Sequence, residues 1–341
     1  MEGGNSMELP EGPARRVLVV IPTLNEEDHI EEVIATLIRG AHGLDLSLAV
    51  ADGGSTDRTR EIVAALAASE PRIRLVDNPG RIQSAGINRA VELAAGECEY
   101  LIRADAHARY PERFCATLVA EALRTGADSV VVSMTTRAEH PGFQTGVAAA
   151  QNSLLGTGGA AHRTGKGGRF VDHGHHALMR LAAFRAVGGY DPTFAQNEDA
   201  ELDHRLGAAG FRIWMTDRTE VTYFPRARPW PLARQYWRYG RSRARMLRKH
   251  RARPRLRQVL PVAVPSSAVL ALIAGLPAVA NRAWLWLSAP FVFWVFLCVV
   301  YGAILAIRRR KFDVLAAAPA GMIMHFSWGA GFLRELMARK R

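Results

Sequence analysis

The chain has 341 residues, enough for one large α/β domain with an appendage or for two modest domains. Its three cysteines, Cys98, Cys115 and Cys298, show neither metal-ligand spacing nor a disulfide framework, which excludes a zinc module or a disulfide-stapled scaffold and reads as a reduced, cytosol-facing chain. Lys and Arg number 44 against 32 Asp and Glu, a formal net charge of +12, and from 221 to 312 there is no carboxylate at all; an Arg-dense stretch, Arg226 to Arg257, runs straight into apolar segments, which favours an anionic membrane surface over nucleic acid.

The first residues, MEGGNSMELPEGPARR, lack the apolar core of a secretory signal, so 1–16 is expected to be a disordered tail. Residues 17–22 (VLVVIP) form an apolar, β-branched run ending in proline, the pattern of a short buried strand. Ile30, Val33, Ile34, Leu37 and Ile38 then recur at helical spacing and predict a helix over 27–39. A second strand is expected at 46–51, stopped by Asp52-Gly53-Gly54, with a helix from Thr56 to about Ala68. A third strand at 73–77, a helix over 84–95 and a fourth strand at 99–105 follow. Strands alternating with helices predict a doubly wound, mostly parallel α/β sheet, whose ligands bind beyond the carboxyl ends of the strands.

A helix over 112–125 and a strand over 128–134 extend this pattern. The stretch 140–176 is rich in Gly and His and declares no element. Helices are expected at 179–187 and 198–209, paired strands or a hairpin over 211–224, and an Arg- and aromatic-rich helix over 230–250. Three apolar segments come last, at 259–280, 283–307 and 314–333. A span needs ~20 mostly apolar residues. The segment 283–307 meets this without a charge, 259–280 carries three prolines, and 314–333 holds His325 and several glycines. Arg308 to Lys311 mark a cytoplasmic side. The expected organisation is a tail (1–16), an α/β domain (17–228), a basic interfacial helix segment (229–257) and a membrane region of two to three helices (258–341).

Five clusters could carry chemistry, each with a plainer alternative. IPTLNEE (21–27), at a strand end, can hydrogen-bond a base or ribose, or can simply cap a helix. In ADGGSTDRT (51–59) Asp52 can accept from a nucleoside and Gly53-Gly54 permits close ligand approach, although Ser55 or Thr56 capping the next helix would explain the same residues. Asp105 and His107, two apart at a strand end, can hold Mn²⁺ or Mg²⁺ against a diphosphate, or lie in a surface loop. Glu198 and Asp199 open a helix and can serve as general base, or as an ordinary acidic first turn. Gln235, Tyr236, Trp237, Arg238 and Tyr239 can bind a sugar and a phosphate, or form an interfacial helix.

The order of these elements is more informative than any one of them. PTLNE, then VADGGSTDRT, GRIQSAGINRA, an Asp-x-His strand end and GGYD…NEDAELDHRL resemble the family 2 glycosyltransferases over residues 17–225, and within them the bacterial exopolysaccharide branch typified by the succinoglycan glucosyltransferases. The resemblance implies a GT-A type nucleotide-sugar-binding fold and an inverting single displacement. It places Pro22, Thr23, Glu26 and Asp52 at the nucleoside and Gly80 and Arg81 at the diphosphate, with Asn25 and Gly53 also counted as donor-binding. Asp105 matches the first Asp of the family's Asp-x-Asp metal motif, and His107 stands where its second Asp is expected. Asp199 matches the catalytic Asp, with Glu198 beside it. Gln235 to Tyr239 is similar to the Gln-x-x-Arg-Trp element of processive synthases, with Tyr for Trp; two or three spans cannot enclose a polymer channel, so transfer of one sugar is the expectation.

The expected partners are a nucleotide-sugar donor, UDP-glucose or similar, a divalent cation (Mn²⁺ or Mg²⁺) and a polyprenyl diphosphate-linked saccharide acceptor met by His173, His175, Gln235, Trp237 and Arg238. His176 joins the two histidines on the acceptor side, or VDHGHHAL (171–178) is a non-catalytic loop. The catalytic domain would face the cytoplasm at the inner membrane, with no nucleic acid involved and no oligomeric state implied. A polyprenyl-monophosphate sugar synthase and a non-enzymatic nucleotide- or lipid-binding membrane protein are the alternatives.

Overall fold

The computed structural model describes residues 13–94, 98–158, 168–275 and 286–338. Most of the expected tail, the positions 276–280 and 283–285 of the expected spans, and the basic end from Arg339 to Arg341 lie outside the described residues. Contacts gather the chain into two units, Met1–Thr135 with Thr164–Tyr223, and Thr136–Arg163 with Phe224–Arg341.

In the first unit the sheet is built around β1 (Arg15–Thr23), paired in parallel with β2 (Leu44–Asp52) on one side and β4 (Tyr100–Arg103) on the other; β3 (Ile73–Asp77) adds in parallel to β2. Successive side chains of a strand point to opposite faces. Val17, Val19 and Ile21 accordingly enter one core with α1 (Ile30–Arg39), α2 (Thr59–Ser69) and α4 (Phe114–Thr125). Leu18 and Val20 enter a second core with α3 (Gln83–Leu93) and α8 (Glu198–Ala208). Helices on both faces are why β1 reads as an unbroken apolar run rather than an alternating one. The register sets Thr23 beside Asp52 and Asp52 beside Asp77, so the carboxyl ends of three strands share one edge.

Beyond β4 the sheet becomes mixed. Strand β8 (His175–Arg180) lies antiparallel to both β4 and β6 (Ser129–Thr136). Strand β9 (Ile213–Tyr223) follows and pairs antiparallel with β5 (Ala108–Arg109) and β7 (Arg169–Val171). Three sequence expectations are corrected here. Residues 175–180 are a strand, and the helix expected from 179 begins at Leu181 as α7 (Leu181–Ala186). Residues 211–224 hold one 11-residue strand that pairs with β5 and β7 instead of folding back on itself. Helix α2 starts at Thr59, not Thr56, because Ser55 and Thr56 are used by Asp52 and Asn25; the Asp57 carboxylate instead accepts from the Thr59 amide at 3.0 Å.

The second unit is helical: α5 (Phe143–Gln151), α6 (Leu154–Thr157), α9 (Pro229–Lys249), α10 (Leu256–Ala274), α11 (Ala289–Arg309) and α12 (Ala317–Met337). Val147, Ala150, Leu232, Leu305, Ala320 and Met324 form its core. Small residues let α9 and α12 approach closely, and a Cβ at Gly240 would run into the Trp328 carbonyl. Gly240→Ala should therefore destabilise this unit by about 1–3 kcal/mol, which a thermal melt of detergent-purified protein would register. Among the described residues one helix, Trp286–Arg309, is long and apolar enough to cross a membrane. It leaves Val292, Phe293, Phe296 and Val299 exposed. The Gln258–Ala274 stretch is apolar but shorter, and α12 buries Ala320, Met324 and Phe332 inside the unit.

Candidate active site

The carboxyl ends of β1 and β2 are stitched together by short polar contacts. Asn25 adopts a left-handed backbone, φ 58°, which its side chain tolerates well. Its amide donates to Ser55 Oγ at 2.9 Å, and its side-chain carbonyl accepts from the Thr56 amide at 2.8 Å. The Glu26 amide donates to Thr59 Oγ1 at 2.8 Å. Asp52 is buried, and its oxygens accept from the Gly54 and Ser55 amides and from Arg60, the last at 2.7 Å. Burial works against its charge, but Ser55 and Arg60 hold the carboxyl below the usual range. Asp52 thus shapes the Gly53–Ser55 backbone, and Arg60 ties it to Asp77 at 2.9 Å.

Arg81 also has a left-handed backbone, φ 58°. A side chain at Gly54 would meet its guanidinium, so the loop holding Gly80 and Arg81 lies over the Gly53-Gly54 turn. Pro22 and Thr23 are buried at the end of β1. Of the buried side-chain polar atoms without a hydrogen-bond partner among the described residues, three, Thr23 Oγ1, Asn78 Oδ1 and Arg103 Nε, lie at the ends of β1, β3 and β4. Buried polar groups are rarely left unpaired, and these three sit where a sheet of this kind receives its ligand.

Arg103 is the centre of the site, although nothing in the sequence pattern around it marks a role. Only 5% exposed, it closes β4 and contacts Asp199 directly. It reaches Glu198 at 3.1 Å, Asp105 at 3.3 Å and Gln83 Oε1 at 3.0 Å. One guanidinium therefore gathers the expected metal ligand and both expected catalytic carboxylates. Burial opposes the Asp105 charge, but Arg103, His175 and His107 bring its carboxyl down to about 2. Burial likewise opposes the Asp199 charge, and Arg103 with His176 still holds it below the usual range. At Glu198 burial wins over Arg103 and pushes the carboxyl up. Two adjacent carboxyls with opposite shifts are the arrangement expected where one must stay ionised.

The histidines divide. His107 Nδ1 lies 2.8 Å from Glu26 Oε1, bringing a residue expected at the metal onto one expected at the nucleoside. His175 stands between the other two carboxylates, 3.7 Å from Asp105 and 3.6 Å from Asp199. His173 turns to Asp203 at 2.7 Å. Asp203 is 2% exposed, and its carboxyl is brought down to about 2, with burial opposed by His176 and His173. A carboxyl held below its ordinary value of 3.8 contributes stability that is present above about pH 4 and is lost as pH falls through 2. Acid unfolding of the first unit, followed by near-UV circular dichroism, should fall in that window and begin at higher pH in Asp203→Asn. The remaining expected residues, Gln235, Trp237 and Arg238, belong to α9 in the second unit, with Trp237 and Arg238 exposed.

The Glycosyl transferase family 2 model matches residues 18–188. The succinoglycan biosynthesis protein ExoA of Rhizobium meliloti is 53% identical over 326 residues, covering 95% of this chain and 96% of that one. A dolichol-phosphate mannosyltransferase of Pyrococcus furiosus is 28% identical over 118 residues, 35% of this chain and 33% of its own. Among solved structures, the mannosyltransferase PcManGT from Pyrobaculum calidifontis, in complex with GDP-Man and Mn²⁺, shares the fold with a TM-score of 0.60 at 20% identity, over 97% of this chain and 90% of that one.

Proposed function

The chain belongs to glycosyl transferase family 2, and from that premise we propose that it transfers one sugar, with inversion, from a nucleotide sugar such as UDP-glucose to a polyprenyl diphosphate-linked saccharide in exopolysaccharide assembly. The observation that carries this reading is the gathering of Asp105, Glu198 and Asp199 on Arg103 at the carboxyl ends of the parallel strands. The likeness to a succinoglycan biosynthesis protein along nearly the whole chain supports the exopolysaccharide context.

The nucleoside lies against Pro22, Thr23, Asn25, Glu26, Asp52 and Gly53, where the unpartnered Thr23 and Asn78 atoms gain partners. Asp52 acts chiefly by holding the Gly53–Ser55 backbone in shape. The diphosphate meets Gly80 and Arg81. A divalent cation, Mn²⁺ or Mg²⁺, suits Asp105, whose carboxyl is deprotonated at neutral pH. Among the described residues no group of three or more His, Cys, Asp or Glu could hold a metal. Asp105, with His107, would therefore leave most of the coordination to phosphate oxygens and water, as at Mg²⁺–phosphate sites. When bound, the cation offsets the charge of the diphosphate. Asp199 takes the proton of the acceptor hydroxyl as that oxygen attacks the anomeric carbon from the opposite face; the bond from that carbon to the diphosphate breaks and the nucleoside diphosphate leaves, with Glu198 beside Asp199.

His173 and His175 are the acceptor contacts proposed in the first unit; Gln235, Trp237 and Arg238 are those proposed on the basic helix of the second. In that helix Arg241, Arg245 and Arg248 share the single buried Glu335, at 3.1, 3.4 and 3.2 Å. This positive excess suits a lipid diphosphate at an anionic surface. Helix Trp286–Arg309 anchors the protein in the inner membrane, with the basic Arg308–Lys311 end and the catalytic unit on the cytoplasmic side. Offering purified enzyme and labelled donor either a polyprenyl diphosphate-saccharide fraction or bare polyprenyl phosphate tests the acceptor. Label should enter the first. Entry into the second alone would make the protein a polyprenyl-monophosphate sugar synthase.

A further inference from the structure

Arg103 is not the only support of Asp199, and the second set of contacts lies deeper in the first unit. His176 on β8 is 1% exposed. Its Nε2 is 2.6 Å from Asp203 Oδ1, and its Nδ1 is 2.7 Å from the Tyr190 hydroxyl and 3.3 Å from Asp199 Oδ1. That hydroxyl is in turn 3.2 Å from Asp199 Oδ1. The other Asp203 oxygen is taken by His173 and by the Gly174 amide, at 2.7 and 3.2 Å. Asp199 is consequently anchored through Oδ1, by Arg103, Tyr190 and His176, while Oδ2 faces His175 at 3.6 Å.

Two proton arrangements satisfy the line from Asp203 to Asp199. With His176 neutral, Nε2–H donates to Asp203 and Nδ1 accepts from Tyr190, so the phenol proton is spent on the ring. With His176 protonated, Nδ1–H donates to the phenol oxygen, and the Tyr190 O–H is released to donate to Asp199. Burial disfavours a charge on this ring, but Asp203 and Asp199 outweigh it and hold the imidazole above its ordinary range. The charged and titratable groups around Asp199 are Arg103 from β4, His175 and His176 from β8, Tyr190 after α7, and Glu198 and Asp203 from its own helix. Those around His176 are Asp203, Asp199, Tyr190 and Arg103.

We infer that His176, fixed by Asp203, is a positioning residue that turns the Tyr190 hydroxyl onto Asp199 Oδ1, leaving Oδ2 as the oxygen that receives the acceptor proton. This rests on Asp199 being the base, as proposed above. The test compares His176→Gln, Tyr190→Phe and Asp199→Asn as full-length, detergent-purified proteins, reading donor Kd, kcat with membrane lipid extract, and the pH profile of kcat. His176→Gln and Tyr190→Phe should keep donor Kd within about twofold and lose on the order of tenfold or more in kcat. In both, the acid limb of the profile should move to higher pH, because Asp199 loses a cation or a hydrogen-bond donor that favours its charged form. A merely structural role would leave that limb in place.

If both variants keep the wild-type kcat and acid limb while Asp199→Asn is inactive, the inference is overturned and the base assignment stands. If Asp199→Asn itself turns over normally, the base assignment fails and takes the inference with it. Should His176→Gln not fold, Tyr190→Phe, which removes a single oxygen, decides the matter: an unchanged kcat overturns the inference.

Discussion

Asp199→Asn is expected to lower transfer by about 10²–10⁴-fold, the range supplied by a positioned base, with donor affinity nearly unchanged. Asn keeps the shape of the side chain and can still accept from Arg103 and Tyr190, but it cannot take a proton. Arg103 keeps two buried carboxyl partners in Asp105 and Glu198, so the variant should fold. Single-turnover transfer and equilibrium donor binding, measured on one preparation, separate the two effects. Loss of donor binding in parallel with transfer would mean that Asp199 holds the donor rather than serving as the base.

Arg103→Met is expected to have the largest effect on stability. It removes the common cation from Asp105, Glu198 and Asp199 inside a buried site. Breaking a buried pair by deleting one partner costs about 3–5 kcal/mol, because an uncompensated charge is left behind. The remaining carboxyls would answer by taking up protons, so the variant should recover part of its stability at mildly acidic pH. Thermal melts across pH read both effects. Arg103→Lys should rescue poorly, since one ammonium cannot reproduce the fork that serves Asp199, Glu198, Asp105 and Gln83 together. A melt indistinguishable from wild type in Arg103→Met would show that the carboxylates are supported from elsewhere.

Much of the first unit was legible because its signals are local. An apolar run ending in a proline, Ile and Leu at helical spacing and glycines after a strand announced β1 to β4 and their helices. The order of PTLNE, DGGSTD, Asp-x-His and Glu-Asp announced the family. What stayed hidden depends on contacts distant in sequence. Arg103 closes an otherwise apolar strand, and nothing in EYLIRAD says that it meets residues of α8 almost a hundred positions later. Strand β8 (HHALMR) is buried between β4 and β6, so it shows no polar alternation and its last two residues look like the start of the following helix. Strand β9 carries the polar pair Asp217-Arg218 at its middle, which imitates a turn.

The apolar end of the chain shows the limit of composition. Segments 283–307 and 314–333 are both apolar stretches, but among the described residues only the helix Trp286–Arg309 is long and apolar enough to cross a membrane; α11 exposes its large side chains, whereas α12 buries Ala320, Met324 and Phe332 inside its own unit. Which side chains such a helix buries is set by the partners it packs against as well as by its apolar content. Nor does any signal mark 136–163 as an excursion from the α/β domain into the helical unit.

The measurement that bears most directly on the account is nucleotide release by detergent-purified protein from a panel of UDP- and GDP-sugars, with Mn²⁺ or Mg²⁺ and a membrane lipid extract. UDP should be released from one donor, in dependence on the lipid extract, and the release should be lost in Asp199→Asn. Donor binding without turnover in any lipid fraction would contradict it, and would leave a nucleotide-binding membrane protein in place of a lipid-linked sugar transferase.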